Sequence, residues 1–583
     1  MSLGERPFSA WAPRNRALSG LLAITVLSIA LRLFGLGSRV AHWDEARVGY
    51  WILRYQKTGV FEYHAVIHGP FFPQVNSILF QLFGASDFMA RLPVALITGL
   101  LPLAAWLYRD HLCESEMVAL ALFLAVNPIL LYYSRFMRND VLLAAFMLFA
   151  LGFFLRAHAT GKARYLYAGT AAMALGFTTK ENVLLYLLSW VGAGALLLDH
   201  RLFLARNHER GWTGVFIEYA KRAGRGISRF APHILLCLFE FFAIIVYFYA
   251  PRARGVEGPG LWKAVGNPSM FGAVISEATV GSWAELNNQW VKSQGHAYLP
   301  YFEHFVSVLE QGALPLLVFA VIGFLAARYV DERPRDLVSF AFYWGAVGIL
   351  GYPLVTDIKA GWVTAHVVAP LAIPAAVGVA LLYRWGREAY EDDDDTGTAA
   401  AALVALLVVA QVAFPAVNFV YMHPQDHQVP GMFGGQQDNY LVQFGQPADG
   451  IGPTLEKMQA VSKANQQGTD VLYYGYVNEQ SSYIFYVPDE SDNDYWKPAN
   501  GWYNRLPLPW YTELADANVD STMQNETLEN RKPPVVISRT EKQPDLDKHL
   551  PGYVAYDHEL TLYGSETTVY IKKSALRNAD MSA

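Results

Sequence analysis

Cysteine is nearly absent. Cys113 and Cys237 are the only two in 583 residues. Two thiols exclude a disulfide framework and any cysteine-based zinc or iron–sulfur centre. Charge is also scarce: 16% of residues are charged and 53% are hydrophobic, with mean hydropathy +0.18. Soluble domains carry about 25% charged residues, so a disordered chain and an ordinary cytosolic enzyme are both excluded. There is no internal repeat, no Walker A loop and no Gly-rich dinucleotide fingerprint. There is also no basic stripe interleaved with aromatics, so nucleic acid is not an expected partner. Aromatics are present in quantity, at 14%, as membrane-interface belts require.

The charge that exists is unevenly placed. From His423 onward there are 22 acidic and 12 basic residues, a net charge of −10, whereas residues 1–422 carry +4. A mildly basic membrane part (1–421) therefore precedes an acidic soluble part (422–583). An acidic surface keeps such a domain soluble by self-repulsion.

A membrane helix needs about 20 mostly apolar residues. Eleven segments qualify: 17–36, 90–108, 116–134, 139–156, 164–179, 183–198, 233–250, 312–330, 337–355, 366–385 and 399–421. The segment 71–84 is apolar but short and carries Gln74, Asn76 and Gln81; it reads as an interfacial or re-entrant helix. The first span reads as retained, since no small-residue cleavage site follows it. With eleven spans, Arg6, Arg14, Arg16, Arg156, Lys162, Arg164, the seven basic residues of 199–230, Arg328, Arg333 and Arg335 all fall on the cytoplasmic side. The run Glu391–Asp395 falls there too, as a solvated loop.

The loops 37–89 and 251–311 and the C-terminal part 422–583 are then extracellular. In the last, 453–467 reads as a helix. Residues 471–477, 534–539, 552–556 and 567–572 read as strands, the final two forming a hairpin around Tyr563-Gly564-Ser565. This predicts a small α/β domain. It contains a sequon, Asn525-Glu526-Thr527, which is as readily a chance match as a glycosylation site. The expected fold class is mainly α: a polytopic cell-membrane protein of about eleven transmembrane helices with a small extracellular α/β domain.

Five polar clusters then converge at the external ends of spans. The first loop reads His42-Trp43-Asp44-Glu45-Ala46-Arg47, with Arg47 one helical turn from Asp44. The others are His68-Gly69-Pro70, Arg91, the run Ser134-Arg135-Phe136-Met137-Arg138-Asn139-Asp140, and Thr179-Lys180-Glu181-Asn182. Taken singly, each reads equally as a helix cap, an ion pair or an interface anchor. Together they make an electropositive pocket with a carboxylate beside lipid. Arginine and lysine there neutralise a lipid-linked phosphate, and a carboxylate takes the proton of an incoming hydroxyl.

These residues carry a resemblance. Asp-Glu in the first external loop, a His-Gly-Pro turn, a helix ending in Phe-Gly and then Arg-Leu-Pro resemble the GT-C superfamily of membrane glycosyltransferases. The similarity is nearest to the protein O-mannosyltransferase and aminoarabinose transferase branch. More narrowly, the acidic C-terminal part and Leu506-Pro507-Leu508-Pro509-Trp510-Tyr511 resemble archaeal flippase-activity-associated proteins.

The resemblance implies Asp44 as catalytic base with Glu45 in support. It implies Arg47, Arg91 and Lys180 as holders of the donor phosphate, with His68, Arg135, Arg138, Asp140 and Glu181 completing the substrate site. The substrate would be a polyprenyl (dolichyl) phosphate-linked sugar and the acceptor a glycan or protein, with a flippase or another glycosylation protein as a further partner. No metal and no other cofactor is expected. Two departures stand out: Phe71 follows Pro70 where the branch has a second proline, and the Trp-Trp-Tyr-Pro-like motif of oligosaccharyltransferases is missing. The alternative to an enzyme is a non-catalytic handler of dolichyl-phosphate sugars. Secondary transport is disfavoured, because no span pairs mid-membrane charges or breaks as a repeat.

Overall fold

The computed structural model describes residues 12–581 apart from 205–210, 253–257, 292–295, 331–333, 357, 449, 489, 491–499 and 562–564. Arg6, Arg206, Arg210, Arg333 and the hairpin residues Tyr563 and Gly564 lie outside the described residues.

The first half of the chain forms α1 (Ala12–Leu33), α2 (Trp43–Thr58), α3 (Phe71–Phe83), α4 (Asp87–Gly99), α5 (Ala104–Leu107), α6 (Glu114–Val126), α7 (Pro128–Tyr133), α8 (Asn139–Thr160), α9 (Ala163–Phe177), α10 (Val183–Leu204) and α11 (Gly211–Tyr249). Three short helices follow, α12 (Leu261–Gly266), α13 (Phe271–Ser276) and α14 (Ser282–Leu286). Then come α15 (Tyr298–Tyr329), α16 (Asp336–Val355), α17 (Ala365–Glu391) and α18 (Asp395–Val417).

Among the described residues, nine helical stretches are long and apolar enough to cross a membrane: those of α1, α4–α5, α8, α10, α11, α15, α16, α17 and α18. Each coincides with an expected span. The other two expected spans are helical but shorter. Residues 116–134 break between α6 and α7, where Asn127 Oδ1 accepts from the backbone N–H groups of Ile129 and Leu130 and Pro128 has no N–H to continue the ladder. Residues 164–179 form the 15-residue α9. The short segment after Pro70 is the 13-residue α3, about 20 Å long and too short to span.

The central helix is α17, buried along most of its length. It packs closely on α15 because glycine faces backbone on both sides: a Cβ on Gly323 would meet the Pro374 carbonyl oxygen at 1.9 Å, and one on Gly378 the Phe319 oxygen at 2.3 Å. Small residues let membrane helices approach in this way.

The C-terminal part holds a hairpin of β1 (Gln428–Pro430) and β2 (Gln436–Asp438), then β3 (Val471–Tyr474), β4 (Tyr476–Val477), β5 (Tyr483–Ile484), β6 (Val519–Thr522), β7 (Val535–Arg539), β8 (Tyr553–Glu559) and β9 (Glu566–Lys572). The main sheet runs β6-β3-β7-β9-β8. Its β6, β3 and β7 are parallel, with Val471 opposite both Val519 and Val535, and β9 is antiparallel to β7 and β8. The expected helix is Gly452–Ala464, and the sequon opens the helix Asn525–Arg531. One apolar core joins this sheet to α2 and α3: Trp51, Phe72, Val471, Trp502, Trp510 and Val535 belong to the same cluster. The sheet is therefore seated on the end of the bundle where the loop 37–86 lies.

Candidate functional site

The site forms at that end of the bundle, beginning with α2. His42 caps the helix: its Nδ1 accepts from the Asp44 N–H (3.0 Å), and Glu45 Oε2 accepts from the His42 N–H (2.9 Å). This reciprocal cap sets the two adjacent carboxylates on different paths. Burial pushes the His42 imidazole down to about 3, so the ring is neutral, as an accepting Nδ1 requires.

Glu45 points inward and is 3% exposed. Its Oε1 accepts from Arg91 Nε (2.8 Å) and the Met137 N–H (2.7 Å), and its Oε2 from Arg91 Nη2 (2.9 Å) and Arg39 Nη1 (3.3 Å). Arg91 spends its remaining nitrogen on the carbonyls of Leu36 and Arg39, both at 2.9 Å. Burial opposes ionisation of Glu45, but Arg91 and Arg39 outweigh it and hold the carboxyl well below the usual range. This half of the cluster is closed on itself. Arg135 serves the same loop, donating to the carbonyls of Leu31, Arg32, Phe34 and Gly35.

Asp44 points the other way and is 28% exposed. Arg47 Nη2 donates to its Oδ1 at 2.9 Å, and Arg138 Nη1 to its Oδ2 at 2.7 Å. Burial pushes this carboxyl up, yet Arg138 and Arg47 outweigh that cost and hold it far below the ordinary aspartate range. Arg138 links Asp44 to a second acid. Its Nε lies 3.9 Å from Asp140 Oδ2, while Asp140 Oδ1 accepts from Lys180 Nζ (2.9 Å) and His366 Nε2 (3.1 Å). The hydroxyl of Tyr186 shares a 2.8 Å hydrogen bond with His366 Nδ1, and because the Asp140 carboxylate can only accept, the Nε2 that faces it carries a proton. The ring of Trp362 covers the Arg138 guanidinium at 3.6 Å.

The third limb is the His-Gly-Pro turn. The Gly69 N–H donates to the Thr179 carbonyl and the Phe71 N–H to that of Thr178, both at 2.9 Å. Only glycine fits between them, since a Cβ at residue 69 would lie 2.2 Å from the Thr178 oxygen. His68 takes a left-handed backbone (φ +65°) here. Its Nδ1 donates to Glu181 Oε2 (3.0 Å), and the Tyr63 hydroxyl donates to Oε1 (2.8 Å). Burial again opposes ionisation, and the His68 hydrogen bond leads the groups that hold Glu181 below the usual carboxylate range. Arg47 ties this limb to the first by donating to the Val66 carbonyl at 3.0 Å. A cavity of about 180 Å³ reaches Tyr63 and Glu181 from apolar walls that include Phe177, Leu184, Phe241 and Tyr249.

The structure thus gathers Asp44, Arg47, Arg138, Asp140, Lys180, His68 and Glu181 into one network. It places Glu45, Arg91 and Arg135 beside that network, committed to the loop's own architecture. Sequence reasoning missed Arg39, Trp362 and His366. Trp362 and His366 stand at the entry to α17, where a polar break before an expected span was the available signal.

Two family models match the sequence. Residues 67–217 match the dolichyl-phosphate-mannose-protein mannosyltransferase model, and residues 451–572 match the Agl23 flippase-associated protein C-terminal domain. No curated protein matches significantly. Among solved structures, ArnT from Cupriavidus metallidurans bound to undecaprenyl phosphate is similar with a TM-score of 0.53 at 15% identity, over 95% of this chain and 98% of that one. Its apo state gives the same score and identity over 96% and 99%. The oligosaccharyltransferase AglB from Archaeoglobus fulgidus gives 0.49 at 14% identity, over 94% of this chain and 73% of that one. The chain is a multi-pass membrane protein whose fold is similar to that of ArnT, with a region similar to the mannosyltransferase model in its membrane part and a region similar to the Agl23 C-terminal domain model after it.

Proposed function

We propose that this protein transfers a sugar from a dolichyl-type lipid phosphate to an acceptor hydroxyl at the outer face of the membrane, with Asp44 as the base. The orientation that goes with this reading puts the acidic part, 422–583, outside the cell. The carrying observation is the contrast between the acids of the site: Asp44 is 28% exposed and held by two arginines, whereas Glu45 and Asp140 are 3% and 1% exposed and fully engaged. Asp44 is the carboxylate an acceptor can reach. The apolar-walled cavity leading to Glu181 gives a lipid chain a way in from the bilayer side. The ArnT structure of the same fold holds undecaprenyl phosphate, a lipid phosphate of this class.

The chemistry follows from the charges. The donor phosphate competes with Asp44 for Arg47 and Arg138, and a guanidinium that turns to phosphate leaves the carboxylate a stronger base. The acceptor oxygen then attacks the anomeric carbon. The bond from that carbon to the phosphate oxygen breaks, the lipid phosphate keeps the electron pair, and Asp44 takes the hydroxyl proton. Arg47, Arg138 and Lys180 stabilise the leaving phosphate as its charge grows.

The match at 451–572 favours a second reading, a factor that hands dolichyl-phosphate sugar to other proteins without reacting it. Mass spectrometry of surface glycans and dolichyl-phosphate sugars in cells carrying Asp44→Asn separates the two. Transfer predicts a 10²–10⁴-fold loss, roughly what a general base supplies: a terminal sugar disappears and its charged lipid accumulates at normal protein level. Unchanged glycans, with the sugar lost only on deletion of the protein, would establish the handling reading instead.

A further inference from the structure

The 39-residue helix α11 has two chemically different halves. From Ala231 to Tyr249 it is an apolar span, and its Tyr249 hydroxyl donates to the Phe177 carbonyl near the Glu181 limb of the site. Residues 211–229, at the opposite end, carry Lys221, Arg222, Arg225 and Arg229 against the single acid Glu218. The whole helix is about 58 Å long, whereas the hydrocarbon of a bilayer is about 30 Å thick. The basic half must therefore leave the hydrocarbon core.

That half is amphipathic. At 3.6 residues per turn, Trp212, Phe216, Tyr219 and Ile227 fall on one side, and Glu218, Arg222, Arg225 and Arg229 on the other. The four apolar side chains are 57%, 50%, 41% and 63% exposed, so among the described residues none buries them. Pro232 sits at the junction of the two halves, where its missing N–H and its ring weaken the helix and permit a bend.

We propose that residues 211–230 are an interfacial anchor that bends at Pro232 and lies on an anionic lipid surface, on the side of the membrane away from Asp44. Continuity with a span keeps the segment within reach of the headgroups. Trp212 and Tyr219 are side chains that favour the headgroup level. The cations select a negative surface, and the apolar stripe enters between the headgroups.

The test is nitroxide labelling of the full chain in nanodiscs, with Cys113 and Cys237 replaced and one cysteine introduced, as Phe216→Cys or Arg225→Cys. Collision accessibility to oxygen and to a water-soluble nickel chelate is compared between phosphatidylcholine and phosphatidylglycerol bilayers. At position 216 the label is expected to shift toward oxygen in phosphatidylglycerol, while the label at 225 stays open to the chelate. Arg222→Glu with Arg229→Glu should abolish the shift at 216. A label at 216 that stays open to the chelate in both bilayers overturns the proposal, and so does equal immersion in both. Protection at 216 that appears only in native membranes also overturns it, because that assigns the face to a protein partner.

Discussion

The ring of Trp362 lies over Arg138, its centroid 3.6 Å from the guanidinium carbon, while Arg138 Nη1 donates to Asp44 Oδ2 at 2.7 Å. The ring excludes water from one side of the cation and leaves the in-plane donors for carboxylate or phosphate. A desolvated cation–π contact is worth about 2 kcal/mol.

Replacing Trp362 by alanine should therefore weaken donor use more than folding. The expected result is a rise in KM for the lipid-linked donor of roughly ten- to thirty-fold, the equivalent of about 1.5–2 kcal/mol, with Trp362→Phe close to the parent. Steady-state kinetics with purified donor reads this directly. An equal loss in both variants would mean that the indole acts through its size alone.

The two adjacent carboxylates of α2 should respond in opposite ways. Glu45→Gln leaves Arg91 and Arg39 buried beside a neutral amide. Breaking a buried pair costs about 3–5 kcal/mol, so this variant should accumulate poorly and melt early in detergent. Asp44→Asn removes a part-exposed charge and keeps a hydrogen-bonding oxygen for one arginine. It should fold normally and lose activity. Thermal unfolding of the two purified variants checks the contrast.

Acid should destabilise this face in two stages. His42 is neutral in the folded protein down to about pH 3, while in the unfolded chain it binds a proton near its ordinary 6.5. Between those values the unfolded state holds the extra proton, so stability falls as pH drops below 6.5, by up to about 1.4 kcal/mol per pH unit. Asp44 and Glu45 have folded values depressed from 3.8 and 4.5, so their contribution is complete well above pH 4.5 and is lost progressively as pH falls below it, overlapping the acid end of the first stage. Urea titrations across pH should show the first stage removed in His42→Gln, with the second stage unchanged.

The candidate site was legible in the sequence where geometry is local. Asp44 and Arg47 stand one helical turn apart, and that spacing becomes a 2.9 Å pair. The grouping of the span ends was legible too, because the expected spans, with a consistent charge bias, left few ways to arrange them. Two kinds of information were not local. Which acid turns inward depends on Arg91 and Arg39, and Arg91 reaches Glu45 from another helix. His366 and Trp362 arrive from more than two hundred residues away and carry no motif. The division of 116–134 into α6 and α7 turned on one Asn-Pro pair inside an otherwise apolar run. Strand β6 was missed because Val-Asp-Ser-Thr has one strongly apolar residue, and its pairing with β3 comes from the edge of the sheet.

The hydroxyl of Tyr511 joins the C-terminal part to the loop that carries the site. It donates to Asp87 Oδ2 at 2.9 Å and accepts from the Ala41 N–H at 2.7 Å, one residue before the His42 cap. Trp510 Nε1 donates to the other oxygen of Asp87 at 2.7 Å. Tyr511→Phe removes the first two bonds without changing the ring, and leaves the Ala41 N–H buried without an acceptor. The cost should be about 1–3 kcal/mol. Because that N–H immediately precedes the residue that caps α2, the loss should reach the orientation of Asp44 as well as global stability. Hydrogen exchange should then show faster opening of residues 41–48 in the variant, while the central helix α17 keeps its protection. Uniform acceleration of both regions would mean that Tyr511 supports the whole fold and has no particular hold on α2.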